Sequence, residues 1–515
     1  MKFYIRLITV ILLYNSSFAQ TNFVKDSLDS YIKREMTRWN LPGMAIAVVK
    51  DGKVIHMKGY GLANVTAKTP VTENTVFQIA SNSKAFTGTS LALLEHYGKL
   101  KLNDKVKKYL PYFKMSEDWR TNEVTIADIL SHRIGYETFQ SDLLNWNCTR
   151  SRKELIENMA NVTPKYSLRE KYGYCNVGFL TAGEIIPAVC DTSWDDYLKY
   201  HFFKPLKMTN TNTKYSTFTT SKNSSKAYTL VDDKIVELRA ANVDNLGPAA
   251  SITSSVNDLS KWLILQLDNG KFNGKQIIPE DVILRTRESF NIVEAESKPG
   301  SNFETYGLGW FLKDAHGKKI VTHDGGANGF LSKTILIPEE HLGVVILTNS
   351  DAQWFFEALG NQIINDVTKQ SYSNLSEAYY KNFKDFKTKE SEEIAKLKNM
   401  AMYYKTPANA YASLVGIYTN KVYGKIAIQA KEEYAEVTFE YHPQYIGKLQ
   451  FTNVNSMILE YNDPTLGTQE IKCKNEGDQK TIEIKVSDFV DMDTYLFTKI
   501  SDTYTPFVKK TDTKK

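Results

Sequence analysis

The stretch "FQIASNSKAF", residues 77–86, places a serine and a lysine three residues apart directly after an apolar run. Val76, Phe77 and Ile79 lead in as a strand would, and "SKAFTGTSLALLEH", from Ser83 to about His96, is helical, with Gly98 as its stop. Ser81 is therefore expected at or near a helix N-terminus, where free backbone N–H groups favour developing negative charge. Two readings follow. Ser81 or Ser83 caps the helix, or Ser81 is a nucleophile with Lys84, one turn on, as its activator. Spacing alone does not choose, because composition gives a chain of this length roughly two Ser-x-x-Lys pairs. Ser30 and Lys33 form such a pair inside a polar-rich first helix.

Around this stretch the chain runs to 515 residues, 42% of them hydrophobic, which exceeds one ordinary domain and suffices to enclose a cleft. The net charge of +5 is small for the size and no long basic run concentrates it, so nucleic acid is not an expected partner. At the start, Lys2 and Arg6 precede an apolar run to Tyr14, with Ser17 and Ala19 at the small-residue positions of a cleavage site. That pattern predicts a signal peptide over residues 1–19, cut between Ala19 and Gln20, and hence a periplasmic or secreted protein. No later stretch is apolar enough to be expected to cross a membrane, and no cysteine lies near the cut. Cys148, Cys175, Cys190 and Cys473 are too few and scattered for a disulfide framework or metal cage, although any one pair could bridge.

Further along, Leu28, Ile32 and Met36 recur at the interval of an amphipathic helix. Two β-rich runs then flank Asp51-Gly52, a strong hairpin signal. Residues 120 to 290 alternate helical stretches with loops, and three β-rich runs fill 305 to 350, the last turning around Pro338 to His341. The expected core is α+β: an antiparallel sheet from both ends of this region with helices between, over residues 20–365. A charged helical connector is expected over 366–405, a small all-β, barrel-like domain over 406–510 and a tail over 511–515. Tyr418 and Tyr423 alternate there as core residues do.

Several motifs stand in one order. "SNSK" is followed by "TIADILSHRIGY" from Thr125, "YCNVGF" from Tyr174, "YGLGWF" from Tyr306 and "HDGGANGF" from His323. Together these resemble the serine β-lactamase and penicillin-binding-protein superfamily, in particular its class C-like branch, from about Leu41 to Ser350. Look-alikes fail on order: Tyr372-Ser373-Asn374 follows the third motif, and His341-Leu342-Gly343 falls in a hairpin turn.

The resemblance implies roles. Ser81 is the acylated nucleophile, and Lys84 and Tyr174 are the catalytic pair, with the formal base open between them. Asn176 would hydrogen-bond the acyl-side amide of a substrate, with His323 and Gly325 also in substrate binding. The oxyanion would meet the backbone N–H groups of Ser81 and Gly326. One departure matters: many family members carry Lys-Thr-Gly where this chain has His323-Asp324-Gly325, and histidine is a weaker, pH-dependent anchor for an anion. Cys175 replaces a more usual serine or alanine.

The expected function is thus a serine hydrolase forming an acyl-enzyme on Ser81, acting on an amide or ester in a peptide or cell-wall-derived substrate. The alternatives are a class C-like β-lactamase and a penicillin- or peptidoglycan-binding protein that acylates without turnover. No metal or organic cofactor is implied, and the eight histidines show no metal-ligand spacing. The C-terminal domain is open between covering the cleft and a purely stabilising role.

Overall fold

The run GMAIAVVK carries two alternating apolar sets, Met44, Ile46 and Val48 against Ala45, Ala47 and Val49. A strand with both faces apolar belongs in the middle of a sheet covered on both sides. In a computed structural model, which describes residues 23–295, 301–476, 479–486, 490–491 and 493–507, it is strand β1 (Gly43–Lys50), with all six of these side chains buried. The expected leader, its cleavage site and the tail 511–515 lie outside the described residues.

β1 turns at Asp51 and Gly52, both at positive φ as a tight hairpin requires, into β2 (Lys53–Asn64) and the two-residue β3 (Thr69–Pro70). The rest of the sheet comes from β4 (Asn291–Glu294), β5 (Glu304–Tyr306), β6 (Phe311–Ala315), β7 (Lys318–Ala327), β8 (Phe330–Ile337) and β9 (Leu342–Thr348). The order is β4-β5-β6-β7-β8-β9-β1-β2-β3, antiparallel throughout.

Helix α1 (Leu28–Arg38) and helix α5 (Phe355–Val367) cover one face, packing Leu28, Ile32, Leu359 and Ile363 on Met44, Ile46 and Val48. The other face receives α2 (Ser83–His96) and α4 (Val256–Leu267), with Leu263 and Leu267 over Gly343 of β9. Beneath them lies a helical region that includes α3 (Asn176–Val189). Helix α2 is buried almost all round, so its small residues set how closely neighbours approach. A Cβ on Gly88 would come within 2.1 Å of the Leu308 carbonyl oxygen, and one on Gly309, at φ +84, within 2.4 Å of the Lys84 carbonyl oxygen.

Helix α6 (Leu375–Tyr403) follows α5, and then the chain forms β10 (Gly416–Asn420), β11 (Gly424–Ala430), β12 (Ala435–Phe439), β13 (Ile446–Phe451), β14 (Ser456–Tyr461), β15 (Thr468–Glu476), β16 (Gln479–Lys485) and β17 (Thr494–Ser501). Each pairs with the next and β10 pairs with β17, which closes an up-and-down barrel. Tyr418, Ile428, Leu449 and Phe497 are among its fully buried side chains. The expected α+β sheet with a barrel-like C-terminal unit is what the chain forms. Among the described residues no helix is long and apolar enough to cross a membrane.

Replacing Gly88 with alanine should cost about 1–3 kcal/mol of stability, because the new methyl meets backbone rather than a flexible side chain. Thermal unfolding of Gly88→Ala checks this, and an unchanged midpoint would mean that α2 and the 307–310 turn are not held together tightly.

Candidate active site

Residues 77–82 are threaded between two parts of the fold. Phe77 and Gln78 pair with Ser254 and Thr253, and the Ile79 N–H donates to the Ile252 carbonyl (3.0 Å). On the other side, Ser332 of β8 donates to the Ile79 carbonyl (2.7 Å) and accepts from the Asn82 amide (2.8 Å). Held at both edges, the chain turns through a short 3₁₀ segment, Ala80–Asn82, with Ala80 at φ +45. A non-glycine residue there carries strain that the surroundings must hold. The turn delivers Ser81 to the N-terminal end of α2.

The capping reading does not fit this geometry. The helix has no side-chain cap, and Ser83 instead accepts from the Ile252 N–H (3.1 Å). Ser81 Oγ accepts from Lys84 Nζ (3.0 Å) and lies near enough to the Tyr174 hydroxyl to favour its ionised form.

Lys84 is fully buried. Its Nζ donates to three acceptors: Ser81 Oγ, Asn176 Oδ1 (2.6 Å) and the Ala249 carbonyl (3.0 Å). It also lies 4.7 Å from the centre of the Tyr174 ring. Desolvation lowers its pKa well below the ordinary lysine range, and the nearby Asp142 carboxylate opposes that shift. Burial moves Tyr174 the other way, so its phenol stays protonated.

Asn176 opens α3, and both ends of its amide meet protein groups: Oδ1 accepts from Lys84 and Nδ2 donates to Asp142. Asp142 heads the short helix Asp142–Asn145 and is itself buried. No motif singled it out, and the sequence around it offers only one acid in an apolar stretch.

His323 sits on β7 beside the cleft, but not as a titrating anchor. Its Nδ1 donates to the Asp324 carbonyl (2.6 Å), so its Nε2 accepts from the Tyr306 hydroxyl (2.9 Å). Burial, reinforced by the Lys84 charge, pushes its pKa down to about 3. The expected pH-dependent anchor is thus a neutral ring fixed on both sides. Gly325 lines the cleft and also packs: a Cβ there would lie 2.1 Å from the Ile79 carbonyl oxygen, so its bare backbone lets β7 approach residues 79–82. Gly326 is open, with Leu331 as the nearest neighbour.

His132, from the "SHRIGY" stretch, is a second imidazole in the site. It takes a left-handed backbone (φ +56), accepts from the Cys175 N–H (3.0 Å) and packs its ring 4.3 Å from that of Tyr174. Desolvation holds it neutral too.

Ser81, Tyr174, His323 and Gly326 open onto a cleft of about 1150 Å³ whose far walls are Phe386 and Leu397 of α6 and Tyr445 and Leu466 of the barrel. The barrel therefore contributes directly to the cleft. Asp324 reaches it as well, its side chain 47% exposed, bound by Lys333 Nζ (2.7 Å). Lys333 is only 3% exposed and is shared with Glu357, while Lys313 adds a second positive charge near both acids.

Because both site imidazoles are held neutral, the ring-proton resonances of His132 and His323 should not titrate between about pH 8 and pH 5, while an exposed histidine does so near its ordinary value. A sigmoidal shift of either resonance in that range, followed by NMR, would contradict the assignment.

This geometry can be set against known proteins. Residues 28–369 match the family model described as Beta-lactamase. Protein flp of Staphylococcus aureus is 29% identical over 372 residues, which cover 70% of this chain and 71% of that protein. The unguisins hydrolase ungD' of Aspergillus campestris is 28% identical over 351 residues, 65% of this chain and 62% of that one. In fold, the chain resembles the octameric penicillin-binding protein homologue from Pyrococcus abyssi, with a TM-score of 0.58 at 19% identity, over 92% of this chain and 99% of the other. The matched region spans the whole nine-stranded sheet together with Ser81, Lys84, His132, Asp142, Tyr174, Asn176 and His323, and the chain belongs to the Beta-lactamase family.

Proposed function

We propose that the protein is a serine hydrolase that cleaves an amide or ester bond through an acyl-enzyme on Ser81. The observation that carries this reading is the buried Lys84 amine 3.0 Å from Ser81 Oγ, in a pocket that lowers its pKa. A neutral lysine can take the serine proton, whereas Tyr174, raised by the same burial, cannot hold a phenolate near neutrality. Lys84 is therefore the base.

In the first half-reaction Ser81 Oγ bonds to the substrate carbonyl carbon while its proton passes to Lys84. The backbone N–H groups of Ser81 and Gly326 meet the oxyanion. The bond to the leaving group then breaks, and Tyr174 delivers a proton to the departing nitrogen or oxygen, drawing its replacement from Lys84. Water repeats the sequence on the acyl-enzyme and frees Ser81. Gly325 and the neutral His323 line the substrate's seat, and Asn176 holds Lys84 beneath it.

The cleft argues for a peptide- or ester-like substrate over a β-lactam. Where Lys-Thr-Gly would offer an ammonium, this chain presents a neutral imidazole and the Asp324 carboxylate. A substrate carboxylate there would face repulsion, not a partner. A cell-wall-derived peptide fits the expected periplasmic or secreted setting.

Intact-protein mass after brief exposure to a fluorophosphonate, a penicillin and an activated ester tests this. One fluorophosphonate adduct, absent from Ser81→Ala, and ester turnover lowered at least ~10³-fold in that variant are expected. Since the base must be neutral, kcat/KM should rise with pH through the depressed lysine pKa, well below the ordinary lysine value. A lasting penicillin adduct without ester turnover would favour an acylating binding protein, and rapid cephalosporin hydrolysis would favour a β-lactamase.

A further inference from the structure

The Asp142 carboxylate is positioned in part from outside the catalytic fold. It lies at the start of a four-residue helix preceded by Phe139 and Ser141, both in left-handed backbone conformations (φ +62 and +63). Such a turn needs external support. Part of it is local: the Phe139 N–H donates to the Tyr174 carbonyl (2.9 Å) and Thr138 Oγ1 accepts from the Tyr174 N–H (3.2 Å).

The catalytic domain adds Gln140 Nε2 donating to the Thr163 carbonyl (2.8 Å) and Trp146 Nε1 donating to Asn328 Oδ1 (2.9 Å), and the barrel adds contacts on both sides of Asp142. Ahead of it, Ser141 Oγ lies 3.2 Å from the Tyr495 hydroxyl of β17. Tyr495 in turn lies 3.0 Å from Asp491 Oδ2, a fully buried carboxylate that also accepts from Tyr423. Burial raises the Asp491 pKa to about 7, and Tyr495 shares its hydroxyl between this acid and Ser141. Behind Asp142, His442 Nε2 donates to the carbonyls of Leu143 (3.0 Å) and Trp146 (3.2 Å). Burial holds His442 neutral, with its pKa near 4, so this grip does not loosen around neutrality.

We propose that the C-terminal barrel is part of the catalytic machinery, with Tyr495 and Asp491 as positioning residues that lock the Ser141 turn and so hold the Asp142 carboxylate on Asn176 and beside Lys84. Asp142 thereby orients the Asn176 amide, whose other end receives the Lys84 amine. It is also the anion facing Lys84, among neighbours that are otherwise neutral: Tyr174, Cys175, His132 and His323. The inference rests on Lys84 as the base.

The sign is definite. Asp142 stabilises the Lys84 ammonium, so removing its charge makes Lys84 release its proton at lower pH. In Asp142→Asn the acid limb of kcat/KM against pH should move down by about one unit. Tyr495→Phe, which keeps the ring and removes only the hydroxyl, should lose roughly tenfold in kcat/KM and shift the same limb. Hydrogen exchange by mass spectrometry should show faster exchange over residues 138–146 in Tyr495→Phe, with the barrel strands unchanged. If both variants fold, keep the wild-type limb and leave that exchange unaltered, the proposal is overturned. If the wild type takes no fluorophosphonate label and turns over no ester, the hydrolase reading fails, while unchanged exchange in Tyr495→Phe would still reject the barrel's hold on the turn.

Discussion

The site depends on one amine kept away from water. Lys84 is buried with three acceptors, one of them the Ser81 hydroxyl. Solvent would restore its ordinary basicity and hold it charged, so the surrounding structure must exclude water and still satisfy every donor. Much of the architecture serves that need. Helix α2 is buried almost all round, Gly88 and Gly309 bring the 307–310 turn against it, and the Ala249 carbonyl and Asn176 close the remaining directions. A lysine so placed is weakly stabilising at best, and its location is set by chemistry.

What could be read from the chain in advance follows from how local each signal is. Ser81 and Lys84 are one turn apart, so their meeting is a property of the helix. Strand β1 declares itself central because six successive side chains are apolar, and the Asp51-Gly52 turn fixes its partner. The barrel was legible as alternating short runs. Asp142 was not, because its partners, Asn176 and Lys84, come from separate segments and no spacing rule links them. Tyr423 shows the same limit: alternation marked it as core, but its hydroxyl meets a buried acid far along the chain.

A motif places a glycine without saying what its bare backbone meets. Gly325 stands in a motif associated with substrate, yet its missing side chain is filled by the Ile79 carbonyl and Ser332. Likewise His323 occupies a position associated with an anion anchor, and its surroundings turn it into a fixed neutral group. Residue type and order carried over from the family, and the local dielectric and hydrogen bonds decided what each residue does.

The placement of β1 between β2 and β9 also has a consequence for how the chain acquires its structure. Val48 pairs with Val344, so the middle of the sheet joins segments about three hundred residues apart, with the helices that carry Ser81 and Asn176 in the intervening chain. A nascent chain that has emerged only to residue 300 has β1 paired with β2 but no β9 to cover its other edge. Assembly of the sheet must wait for the second half of the chain, which makes slow folding through partly structured intermediates the natural kinetic regime and leaves β1, apolar on both faces, as the segment most in need of protection until then.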